Sequence, residues 1–105
     1  MTVSSDDWRR MGQEKFLPSG TTWVHKRYRA ESETWEHEHC EFCAAKFMDP
    51  DYSDQHRQAI ANDPRILTEG FTTTGQHPKG PGYYWVCANC FGDFAEELGW
   101  RTQTS

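Results

Sequence analysis

The sequence predicts an α+β fold, in which a four-cysteine site of treble-clef-like or zinc-ribbon-like form ties a small antiparallel sheet to a C-terminal helix. Three observations predict it. Two identical C-x-x-C units, Cys40/Cys43 and Cys87/Cys90, each offer two thiols from one tight turn. Runs rich in β-branched and aromatic residues, T-T-W-V-H-K-R-Y-R and Y-Y-W-V, read as strands. Behind the second cysteine pair, Phe91, Phe94, Ala95 and Leu98 recur at i, i+3, i+4 and i+7, the stripe of an amphipathic helix.

The 105 residues fit one zinc-binding domain, 1–105, with 1–5 and 102–105 expected to fray. Its hydrophobic fraction is only 35%, but 14% of residues are aromatic, so the core is expected to rest on Trp23, Trp35, Trp85, Phe91 and Phe94. A core of that size gains from a metal staple.

Taken in order, residues 6–16 predict a short helix capped by Ser5 or Asp6 and broken by Pro18-Ser-Gly20. Thr21 to Arg29 predicts a strand with Val24 and Tyr28 on one face and Trp23, His25 and Arg27 on the other. A second strand, Thr34 to His39, is expected to follow through a hairpin at Ala30-Glu-Ser-Glu33 and to lead into Cys40. After the turn-like D-P-D-Y-S-D, a helical turn or two is expected from Gln55 to Ala61, and Ile66 to Thr73 reads as extended. Gly75 to Gly82, with its prolines and glycines, predicts a hairpin tip. Tyr83 to Val86 forms the strand entering the second cysteine pair, and the helix from Cys90 to Leu98 stops at Gly99.

No basic segment followed by an apolar stretch opens the chain, and no apolar run approaches membrane-spanning length. The expected compartment is therefore the cytoplasm, where thiols stay reduced and serve metals better than disulfides. Four thiolates complete a tetrahedron around one structural Zn2+. Cys90, in the first turn of its helix, meets the positive end of the helix dipole, and Lys46 is the nearby cation expected to offset thiolate charge. His37 and His39 share one side of a strand just before Cys40, where one could replace a cysteine or form a second metal site, but a closed four-sulfur site favours a hydrogen-bonding or packing role for them. His25, His56 and His77 show no ligand spacing and are expected at the surface.

Catalytic patterns fail on context, so no enzyme is expected. His39-Cys-Glu41 with a later C-x-x-C imitates a zinc deaminase, yet Val86 stands where proline belongs and Cys43 would have no role. A thioredoxin-like dithiol leaves one C-x-x-C unexplained, and His37-Glu-His39 lacks the helical separation of H-E-x-x-H.

The net charge of -5 is unevenly spread. Arg9, Arg10, Lys15, Lys26, Arg27 and Arg29 make the start basic; Glu31, Glu33, Glu36, Glu38, Glu41, Asp49, Asp51 and Asp54 make the middle acidic. Such a middle repels phosphates and favours a basic protein partner. The leading expectation is a non-enzymatic, zinc-stabilised protein-interaction domain, in its narrower form an immunity or inhibitor protein that blocks a basic toxin or nuclease. The alternative is a nucleic-acid-binding zinc ribbon using Lys26, Arg27 and Arg29 beside Trp23 and Tyr28. No membrane partner is expected.

W-E-H-E-H-C-E-F-C-A-A-K-F and G-Y-Y-W-V-C-A-N-C-F-G-D-F, with G-Q-E-K-F-L and E-G-F-T-T-T, resemble a set of short bacterial zinc-binding proteins of unassigned function. The resemblance spans about Trp8 to Trp100. It implies a bacterial cytosolic zinc-binding domain and supplies no activity.

Overall fold

The computed structural model describes residues 4–30 and 37–103. Six strands and two helices follow a short 3-10 helix, Gln13–Lys15: β1 Thr22–Arg27, β2 His37–His39, β3 Lys46–Met48, α1 Asp54–Asn62, β4 Glu69–Thr73, β5 Trp85–Val86, α2 Ala88–Leu98 and β6 Arg101–Gln103. The mixed α+β class is the one read from the sequence. A four-stranded sheet runs in the order β5-β4-β1-β6, and β2 and β3 form a separate antiparallel pair.

Strand β4 is antiparallel to both neighbours, with Trp23 opposite Thr73 and Phe71 opposite Val86. On its outer side β1 pairs with β6 in parallel, Thr22 opposite Arg101. The expected hairpin between the first two strands is therefore not the pairing found: β1 lies between β4 and β6, while β2 turns back on β3. Residues 31–36, including the expected turn and Trp35, lie outside the described residues. Two single bridges, Cys40 to Trp85 and Phe47 to Leu67, join the sheets.

The core is aromatic, as composition requires. Phe91 of α2 stacks on Phe71 at 3.8 Å between ring centroids and meets Trp23 edge-on. Trp23 touches Trp100 at 4.8 Å. Trp85 contacts both Tyr28 and Phe47, so the β3 side chain reaches onto the large sheet. Gly70 makes that approach possible, since a Cβ there would lie 2.7 Å from a Phe47 ring carbon.

Several boundaries differ from those read in the chain. The N-terminal segment is a series of turns ending in the 3-10 helix, because Gly12 takes a left-handed φ of 80° and interrupts any α-helix across residues 6–16. Helix α1 is longer by a residue at each end than Gln55–Ala61, with Ser53 capping it through the His56 amide. Helix α2 begins at Ala88, ahead of Cys90, and ends at Gly99 with φ 63°. That left-handed turn lets Trp100 N–H bond the Ala95 carbonyl and sends the chain into β6. Thr102 and Gln103, expected to fray, are strand residues held by β1. None of the described helices is long and apolar enough to cross a membrane.

Candidate metal centre

Local structure sets each sulfur. After β2, the chain turns at Cys40, where the Ala44 amide bonds the Cys40 carbonyl at 2.9 Å and Ala44 adopts φ 63°. The Cys40 amide bonds the Ala45 carbonyl and the Glu41 amide bonds the Trp85 carbonyl, which docks this knuckle beside the strand leading to Cys87. Cys87 is the N-cap of α2: its Sγ accepts the Cys90 amide at 3.4 Å, as a serine oxygen would. Cys90 follows in the first helical turn, so the second pair has the treble-clef placement.

The four Sγ atoms of Cys40, Cys43, Cys87 and Cys90 all lie within 4.8 Å of one another. Tetrahedral bonding at about 2.3 Å from metal to sulfur separates ligand sulfurs by about 3.8 Å. Cys43 and Cys87 are 3.7 Å apart. The donor set and its spacing therefore fit a metal ion, and all four predicted ligands come together from segments more than forty residues apart.

Backbone amides point at this cluster. Cys40 Sγ accepts N–H groups from Phe42 at 3.5 Å and from Cys87 at 3.3 Å. Cys90 Sγ accepts Arg9 Nη1 at 3.4 Å. Each donor disperses negative charge on sulfur.

The titration pattern has the same origin. Hydrogen bonds from the Cys87 and Cys90 thiols pull Cys40 down to about 2. The same bonds, from the side of the proton donors, push Cys87 up to about 12 and Cys90 well above the ordinary thiol range. Closely packed thiols stabilise one thiolate at the expense of its neighbours, so a cation among them would help Cys40, Cys87 and Cys90 to ionise together.

Arg9 is the residue that sequence reading missed. Its guanidinium also pairs with Asp7 at 2.9 Å and Asp93 at 2.8 Å, and lies 4.8 Å from the centre of the Phe94 ring. The bond from Arg9 holds the Asp7 carboxyl down to about 2. Gln13, buried in the 3-10 helix, secures the same arm by donating to the Arg9 and Glu41 carbonyls. Neither residue has a local signal, because Arg9 meets Cys90 across 81 positions. The cation in contact with the sulfurs is thus Arg9; Lys46 lies in β3 opposite His39.

Among the described residues, no histidine belongs to a metal-binding group. His37 and His39 contact each other edge-on at 5.1 Å. His56 is buried against Tyr52, and His77 Nε2 is 2.7 Å from the Phe16 carbonyl oxygen, so two histidines expected at the surface take part in packing.

The charge pattern also folds inward. Asp51 accepts from Arg27 and Arg29, while buried Asp49 accepts the amides of Ala30 and Asp51. Trp23 and Tyr28 are 0% and 1% exposed. By contrast, Trp8 and Met11 are 70% and 79% exposed on the arm that carries Arg9. No family model, curated protein or solved structure matches this chain.

Proposed function

We propose that the cysteine cluster holds one structural Zn2+ and that the chain works as a non-enzymatic protein-interaction domain. The observation that carries this reading is the convergence of four sulfurs within 4.8 Å, enough ligands for a tetrahedral shell from protein alone. Such a shell leaves no position for water or substrate, whereas catalytic zinc keeps one open. The ion's work is then to join the β2–β3 knuckle to the start of α2.

Trp8 and Met11 supply the contact chemistry, since exposed aromatic and methionine side chains are enriched at protein interfaces. Both sit on the segment that Arg9 attaches to the cysteine cluster. This favours a surface near the N-terminal arm over one built from Asp49 and Asp51, whose carboxylates already serve Arg27, Arg29 and the Ala30 amide. An immunity or inhibitor role is the narrower form of the proposal, with a basic partner. The nucleic-acid alternative has less support, because the rings it needs for base stacking, Trp23 and Tyr28, form core contacts.

Native mass spectrometry of reduced protein is expected to show one zinc per chain, without the colour of an iron-thiolate site. The double variant Trp8→Ser/Met11→Ser is expected to keep its zinc and melting temperature but lose a partner cross-linked to the wild-type chain in its native cell. Retained cross-linking in the variant assigns the interaction to another surface, and a folded, metal-free protein rejects the structural-zinc reading.

A further inference from the structure

We propose that Cys43 is an oxidation site for hydrogen peroxide and related small peroxides, with Cys87 as its resolving partner, so that oxidation releases the metal. The inference rests on the metal-site reading above and goes beyond it, from what the sulfurs hold to which of them reacts.

The four sulfurs are not equivalent. Cys40, Cys87 and Cys90 are 3%, 6% and 1% exposed, whereas Cys43 is partly open to solvent. Cys40, Cys87 and Cys90 each accept an N–H group; among the described residues no N–H donates to Cys43 Sγ. A hydrogen bond to a thiolate withdraws electron density and shields the sulfur. Cys43 keeps the greatest nucleophilicity and the readiest access. A cavity of about 570 Å³ beside Trp8, Arg65 and Leu67 reaches Cys43, Cys87 and Cys90 together, and of these three sulfurs Cys43 is the one on a residue that is not buried.

Placement supplies the second half of the reaction. Cys87 Sγ is 3.7 Å from Cys43 Sγ, and the two belong to different C-x-x-C units. The Cys43 thiolate attacks one peroxide oxygen, the O–O bond breaks, and hydroxide leaves, giving a sulfenic acid on Cys43. The Cys87 thiolate then attacks that sulfur, the S–O bond breaks, and a second hydroxide leaves. Two thiolates lose two electrons in total and one hydrogen peroxide becomes two hydroxide ions. Half the ligands are consumed, so the cation is set free, while the new disulfide still links the knuckle to α2.

The test treats reduced, zinc-loaded protein with substoichiometric hydrogen peroxide beside a chromogenic zinc chelator, followed by peptide mapping. A Cys43–Cys87 disulfide forming with zinc release, both reversed by dithiothreitol, is the expected result. Brief iodoacetamide treatment of untreated protein is expected to label Cys43 at least ~10-fold faster than the other three cysteines. A first disulfide within one C-x-x-C unit, zinc release without a cross-link, or equal labelling overturns the inference. In Cys43→His, which can still offer a zinc ligand, peroxide-driven release is expected to slow ~10-fold, and unchanged release again overturns it. If that variant does not hold zinc, the labelling order in the wild type decides. Absence of zinc from the untreated protein defeats the underlying metal reading instead, so the two failures are distinct.

Discussion

At the scale of single residues, the cysteine cluster is contacted by a charged side chain that is not one of its four candidate ligands. Arg9 donates to Cys90 Sγ while held between Asp7 and Asp93, so its position is fixed before any metal arrives. Hydrogen bonds to charged groups contribute about 1.5–3 kcal/mol, and loss of an outer partner commonly lowers metal affinity ~10- to 100-fold. Arg9→Ala is expected to weaken zinc binding within that range, measured by competition with a chelator of known affinity. Arg9→Lys should lose less, because it keeps the charge without the planar fork. Equal affinity in wild type and Arg9→Ala would remove Arg9 from this role. The cysteines themselves were legible because C-x-x-C is a local pattern. Arg9 was not, since one arginine among several carries no mark of the sulfur it will meet.

At the scale of elements, the two sheets share one aromatic core besides the cysteine cluster. Phe47 of β3 is fully buried and lies over Gly70 of β4, and the Phe47–Leu67 bridge runs beside it. A methyl group at position 70 would meet two Phe47 ring carbons below 3.0 Å and the Val86 carbonyl oxygen at 3.0 Å. Overpacking of this kind costs about 1–3 kcal/mol. Gly70→Ala is therefore expected to lower the unfolding free energy by that amount, read as a lower denaturation midpoint, with zinc stoichiometry unchanged; Gly75→Ala, with no atom within 4 Å of the added methyl, serves as control. An equal midpoint in both variants would show that Phe47 moves aside freely. Helix α2 could be read from its apolar period and from Gly99. Strand β3 and the parallel pairing of β6 could not, because three-residue strands such as K-F-M and R-T-Q are too short to show a period.

For the whole molecule, metal binding and folding are one equilibrium if zinc occupies the cluster, since the four sulfurs come from the β2 turn and from the start of α2. Zinc removal by a strong chelator under reducing conditions is expected to lower the melting temperature and to free the β2–β3 pair first. Hydrogen exchange should then quicken at Cys40 and Met48 ahead of Val24 and Thr72, whose strands keep the Trp23, Phe91 and Trp100 contacts. Uniform loss of protection would instead make the metal a determinant of the entire fold. The sequence by itself determined the α+β class, the four candidate ligands, the extent of the last helix to within two residues and its glycine stop. Each of these is written in spacing or period, over which the backbone's own geometry acts. Tertiary structure alone decided that β1 pairs with β4 and β6, that Arg9 rather than Lys46 meets the sulfurs, that Asp49 turns inward, and that Cys43 is the most open ligand. Those outcomes depend on which distant surfaces bury the most aromatic area together while pairing their charges, and no local pattern encodes that competition.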